Sequence, residues 1–191
     1  MPANQPQIYS AVARHFHWWT FALVAVQFAL GFFMLVRASW LEIWDFTTNT
    51  AYSAHKLLGV IVLLVVVARL FYRVRRGAPA DEPSLEPWQK RVSHLTHWGI
   101  YALLIIVALL GWFGVQLYPA LDVFGLFSLP AVVRPDNAAS AWVLWLHMIT
   151  AFGLAFLLVM HTAAALYHHF IRRDGVLLRM LPWLGANRPK H

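Results

Sequence analysis

The segment AWVLWLHMITAFGLAFLLVMHTAAALYHHF, residues 141–170, is a long apolar run that carries His147 and His161. In an α-helix, at about 100° and 1.5 Å per residue, fourteen positions return a side chain to within roughly 40° of its starting face and about 21 Å along the axis. Both imidazoles therefore face one way at two depths of one bilayer. Ionisable groups inside a membrane helix are expensive and mark function by default, and neutral imidazole is an axial ligand of haem iron. Histidines hydrogen-bonded across helices would be the purely structural alternative. The choice turns on whether the other helices offer a partner at each depth.

Composition points to the same class. Of 191 residues, 60% are apolar and 12% charged, with a mean hydropathy of +0.59, which an ordinary soluble domain does not fit. Four transmembrane helices are expected, at about residues 17–36, 52–72, 96–118 and 141–168, each near or above the roughly 20 residues that cross a hydrocarbon core of about 30 Å. The expected fold is an all-α membrane protein, a four-helix transmembrane bundle forming a single integral-membrane domain over residues 1–191. The first apolar run follows Arg14 but is longer than a secretory core, lacks a small-residue cleavage pattern and carries a histidine, so it reads as a helix of the mature protein. There is no cysteine, which excludes disulfides, thiolate-held iron–sulfur clusters and covalently attached haem.

Basic residues set the expected orientation. Arg14, the second connection with its approach (Arg69, Arg73, Arg75, Arg76, Lys90, Arg91) and the tail (Arg172, Arg173, Arg179, Arg188, Lys190) hold all the Lys and Arg except Arg37, Lys56 and Arg134. The positive-inside rule then puts both termini in the cytoplasm of a bacterial inner membrane. The net charge of +7 is a topology signal and not a nucleic-acid patch, since no soluble basic domain exists to carry one. Residues 1–13 read as a polar leader, 77–90 as a Pro-rich connection and the last outer connection as a semi-apolar stretch against the interface. Most of the ten tryptophans fall near expected helix ends, as anchors.

With alternating helix directions, His17 lies at the cytoplasmic side, His55 at the outer side, His147 outside and His161 inside. The chain thus supplies His55 with His147 and His17 with His161, and two bis-histidine haems stacked along the bundle account for all four. The inner pair carries a depth mismatch: His17 is three residues from Arg14, whereas His161 is eleven from Arg172, about 16 Å of helical rise. It matches only if the fourth helix projects past the membrane or the first begins in a shielded region. Gly31 and Gly111, fourteen residues after His17 and His97, leave room for a flat macrocycle or serve ordinary small-residue packing; Gly59 has the same double reading. His94 and His97 could compete with His17 for the inner iron, while His15 lies about 200° from His17 and cannot share its haem. His168 and His169 could exchange protons with a quinone or form an interfacial cluster, and the terminal His191 carries no expected role.

HW at 17–18, HKLLG at 55–59 leading into VARLFYR, SHLTHWGIY at 93–101, LHM around His147, and HTAAALYHHF at 161–170 followed by DGVLLRMLP resemble the prokaryotic cytochrome b561 family of four-helix, di-haem, quinone-linked cytochromes. The resemblance spans nearly the whole chain and extends to the branch that oxidises superoxide. It implies two haem b ligated by His17, His55, His147 and His161, and passage of single electrons from an outer donor, superoxide or a periplasmic redox protein, to ubiquinone. By position it also implies that His97 and His168, with His15 beside them, stand near the quinone. Such irons have both axial positions filled, so they relay electrons. Lys56, next to His55, is the best-placed catalytic cation for an anionic donor, with Arg37 and Arg134 flanking it. A quinone-linked electron-transfer partner of another redox protein and a non-redox four-helix scaffold are the competing functions.

Overall fold

The computed structural model describes residues 7–185; Arg188, Lys190 and His191 lie outside the described residues. Among the described residues, four helices are long and apolar enough to cross a membrane, and each starts before the span expected from hydropathy. Helix α1 (Ala11–Met34) starts within the stretch read as a leader, where Ser10 Oγ accepts from the Ala13 N–H at 3.2 Å, and it runs on through a π turn, Leu35–Trp40. Helix α2 (Phe46–Arg76) is capped by Asp45, which accepts from the Thr48 N–H at 2.9 Å, and stops at Gly77, whose φ of 75° suits glycine. Helix α3 (Pro87–Leu117) takes in residues 87–90, assigned by sequence to the connection: proline is at home in a first turn, and the Glu86 N–H is held by Gln89 Oε1 at 2.9 Å. Helix α4 (Asn137–Tyr167) continues through a second π turn, His168–Arg172, into Arg173 at φ 55°.

These extensions bear on the depth mismatch. Continuous spans of 30 to 36 residues are about 45–54 Å long, longer than a hydrocarbon core of about 30 Å, and His17 lies past the first turn of α1 instead of at its start. Hydropathy marks only the lipid-crossing part of a helix, whereas capping decides where it ends.

Helix α3 packs most extensively on α4 and α1 on α2, with α2 joining the two pairs through α3. The buried core is a thin apolar layer of Val24, Val62, Val66, Tyr101, Leu104 and Leu154. Leu154 stands midway in sequence between His147 and His161, so this layer separates the two histidine levels. Large outward side chains such as Phe21, Phe32, Leu64, Phe156 and Val159 are exposed, as a lipid-facing surface requires.

Each end of the bundle is tied by polar contacts. At the loop end, two short strands not expected from the sequence, β1 (Asp122–Val123) and β2 (Phe127–Ser128), pair antiparallel. Lys56 Nζ donates to the carbonyls of Ala120 (2.9 Å) and Asp122, and Ser53 Oγ accepts from the Phe124 N–H at 3.0 Å. Gln116, 1% exposed, bonds Pro130 O and the Val132 N–H. At the terminal end, Arg179 donates to Gln7 O at 3.0 Å and Ala80 O at 2.6 Å, joining the tail to both the N-terminal segment and the second connection.

The Asp45 cap makes a testable contribution. The Thr48 backbone N–H above all, then the Thr48 hydroxyl and Arg37 at 2.5 Å, hold its carboxyl below the usual range. Asp45→Ala is expected to lower the unfolding temperature in detergent more than Asp45→Asn, which keeps an acceptor. A depressed carboxyl stabilises above its unfolded pKa of about 3.9, and that contribution fades as pH drops through the lower folded value. The wild-type advantage over Asp45→Asn is therefore expected at neutral pH and should close in strong acid, as read by melting curves against pH.

Candidate functional site

The bundle brings five histidines into two levels. At the loop level, the rings of His55 on α2 and His147 on α4 face each other with centroids 6.1 Å apart and planes at 89°. At the terminal level, His17 on α1 and His161 on α4 lie 6.3 Å apart at 61°, and His97 on α3 lies 5.1 Å from His161. Two metal–imidazole bonds of about 2 Å plus two ring radii of about 1.1 Å would place the centroids of two imidazoles on opposite sides of one metal about 6.2 Å apart. His55 with His147 and His17 with His161 meet that spacing. His97 with His161 is too close for it.

Hydrogen bonds select tautomers. His147 Nδ1 donates to Val107 O at 2.8 Å and His97 Nδ1 to Ser93 O at 2.6 Å, which leaves Nε2 as the lone-pair nitrogen of each neutral ring. His55 Nδ1 is buried and has no hydrogen-bond partner among the described residues. At His17 the roles are reversed. Arg69, which can only donate, reaches Nδ1 at 3.0 Å, so Nε2 carries the proton of the neutral ring and is free to bind a metal only once Arg69 releases Nδ1.

Glycines line the loop level. A Cβ on Gly111 would stand 3.0 Å from both Cε1 and Nδ1 of His147, and one on Gly31 3.6 Å from Cε1 of His55. Gly59 instead admits Gln27, whose Nε2 donates to His55 O at 3.1 Å, so its role is packing.

The remaining candidates separate. His94 turns away from the cluster to Asp81 at 3.1 Å, which removes it as a rival to His17, because its helical position points it toward the second connection. His15 is exposed and makes no hydrogen bond or ring contact with the cluster. His168, 8% exposed, bonds Asp174 at 2.5 Å, and Arg172 Nε lies 3.7 Å from the same carboxylate. His169 Nδ1 is buried without a partner. Lys56 is beside His55, as its position dictates, but its ammonium is directed at loop carbonyls, and Arg37 is paired with Asp45. Asp174 and Arg69 were not singled out from sequence. The only signal was an Asp shortly after the double histidine and an Arg inside an apolar run.

The family of prokaryotic cytochrome b561 matches residues 8–183, nearly the whole described chain and all of these histidines except the terminal one. The chain belongs to that family. It is 31% identical over 179 residues to cytochrome b561 homolog 2 of Escherichia coli (strain K12), covering 93% of each chain, and 29% identical over 175 residues to cytochrome b561 homolog 1 of the same organism, covering 91% and 97%. It is 25% identical over 181 residues to the probable superoxide oxidase CybB of Yersinia pestis, covering 91% and 96%. Membership makes it a multi-pass bacterial membrane protein of oxidoreductase type, implies haem b and excludes the non-redox scaffold. The residues present fit that group: opposed imidazoles at trans spacing, an unpartnered buried His55 Nδ1, and a bare backbone at Gly111 and Gly31.

Gly111→Ala is expected to displace the His147 ring, since a Cβ at 3.0 Å is tighter than ordinary contact, whereas Gly31→Ala meets His55 at ordinary van der Waals distance. The reduced-minus-oxidised spectrum should change in Gly111→Ala and stay near wild type in Gly31→Ala.

Proposed function

We propose that this cytochrome passes single electrons from a donor at the loop end to ubiquinone at the terminal end through two haem b, in a bacterial inner membrane with both termini in the cytoplasm. The observation that carries the reading is the pair of ring separations, 6.1 and 6.3 Å, at two levels of one bundle. We assign His55 and His147 as the axial ligands at the loop level and His17 and His161 at the terminal level. When bound, haem b supplies reversible one-electron chemistry; the chain positions it and shields it from water. The concentration of Lys and Arg at the terminal end supports the orientation.

The donor we assign is superoxide, which gives up one electron and becomes dioxygen; two superoxides and two cytoplasmic protons convert ubiquinone to ubiquinol. The likeness to the probable superoxide oxidase of Yersinia pestis supports this choice. So does Lys56, whose charge stands one residue from His55 while its donors hold the hairpin. At the other end we assign His168 and His97 to the quinone. Asp174 accepts from His168 Nδ1–H, so Nε2 gains a proton only in the charged ring, and that ring can donate to a quinone carbonyl and deliver the proton to the reduced oxygen.

His147→Ala and His161→Ala should each leave one haem per chain by pyridine haemochrome, and the haem lost should differ between them. Two haems remaining in either variant would remove that residue from the ligand set. A superoxide pulse should reduce the purified cytochrome rapidly. Reduction by a periplasmic redox protein but not by superoxide would replace the donor with a protein. In His168→Ala, haem content and reduction by superoxide should be normal while reoxidation by short-chain ubiquinone slows by about 10²-fold or more, the scale of a lost general acid; unchanged reoxidation would take His168 out of the quinone site.

A further inference from the structure

Arg69 and Arg73 lie one turn apart on α2, both only partly exposed, in the wall of a small open cavity of about 30 Å³. Tyr9, Tyr72, Tyr101 and Met180 complete the wall, so three helices and the tail enclose two guanidinium groups among phenol rings. Arg69 stacks over Tyr101 at 5.2 Å, and Arg73 lies 5.9 Å over Tyr101 and 6.0 Å over Trp98. The Tyr72 hydroxyl is bonded to Ser10 Oγ at 2.9 Å.

Among the described residues neither guanidinium has a carboxylate. Asp81 is taken by His94, and Asp174 by His168 and Arg172. Glu42, Asp45, Asp122 and Asp136 are at the loop end, and Glu82 and Glu86 belong to the second connection. A pair of like charges drawn from water into an aromatic cavity is costly unless an anion joins them. Aromatic faces offset part of that cost, and Arg69 places donors on His17 Nδ1 and on Tyr101, but the fork of Arg73 meets only the faces of Tyr101 and Trp98, and neither group meets a negative charge among the described residues. A donor set of two planar forks matches one oxyanion, carboxylate or phosphate, with two or more oxygens.

We propose that Arg69, Arg73 and the surrounding tyrosines form an oxyanion pocket at the terminal end, adjoining the inner histidine level through the contact of Arg69 with His17. Two sources carry that chemistry here: a propionate side chain of the inner haem b, and the phosphate of an anionic phospholipid in the adjoining leaflet. The proposal rests on haem b as the family's cofactor and is independent of superoxide and ubiquinone. An anion seated there would also compete with His17 Nδ1 for Arg69, which is the release that His17 needs in order to use its Nε2.

The test uses the holoprotein in nanodiscs with Arg73→Gln, Arg69→Gln and the milder Arg73→Lys. Arg75→Gln is the control, since Arg75 stacks on Phe71 and is outside the cavity. Two quantities are read: the rate at which each haem is lost to excess apomyoglobin, and retention of phosphatidylglycerol by native mass spectrometry in discs with and without that lipid. A tenfold or faster loss of one haem, with Lys in between and lipid retention unchanged, assigns the pocket to a propionate. Loss of one retained phosphatidylglycerol with haem release unchanged assigns it to a lipid phosphate. If both quantities match the Arg75→Gln control in the variants that fold, and wild type retains no phosphatidylglycerol, the pocket does not bind an oxyanion. Failure of the superoxide or ubiquinone assignments would leave these readouts untouched.

Discussion

An imidazole placed inside an apolar helix has to find partners for two nitrogens where water is scarce, and that requirement organises this bundle. His147 satisfies it with Val107 O on the neighbouring helix and His97 with a carbonyl one turn back on its own, and each keeps a lone pair on Nε2. His55 keeps a buried Nδ1 that no protein group meets. The rings face one another across the bundle instead of packing into its core, and the core is correspondingly thin, a single apolar layer around Val66 and Leu154 between the two levels.

That arrangement depends on rigid ends. With so little buried apolar surface, the helices are held in register by polar ties where backbone groups would otherwise lack partners. Lys56, Ser53 and Gln116 bind the last outer connection at one end, and Arg179 gathers three chain segments at the other. Lys56 thus does two things at once. Its charge remains close to His55, but its N–H groups are committed to the loop, so any attraction of an anion there acts through the field and not through direct contact.

The terminal level is less symmetrical than the loop level. Three rings meet there, and ring separation favours His17 opposite His161, while the tautomer set by Arg69 works against ligation by His17. A positive charge beside an imidazole favours the electron-rich state of a group that the ring would hold. Under the proposed assignment Arg69 and Arg73 would draw electrons toward the end that holds the His168–Asp174 pair.

Hydropathy, the absence of cysteine and the fourteen-residue spacing of His147 and His161 sufficed for a four-helix membrane cytochrome with histidines at two depths, because helix periodicity and bilayer thickness are local and uniform constraints. Helix ends were legible only in part. Ser10 and Glu86 with Pro87 lie outside the apolar windows and the π turns at Leu35–Trp40 and His168–Arg172 run past their ends, and a cap works through individual hydrogen bonds that mean hydropathy does not register. The pairing of His55 with His147 and of His17 with His161 was read from helix direction and spacing, but the removal of His94 to Asp81, the hairpin latched by Lys56, and the meeting of Arg69 with His17 or Asp174 with His168 were settled by tertiary structure alone. Each is a contact between side chains whose directions depend on how the helices rotate and pack against one another, and rotation about a helix axis leaves no trace in a one-dimensional pattern when every face of the helix is apolar.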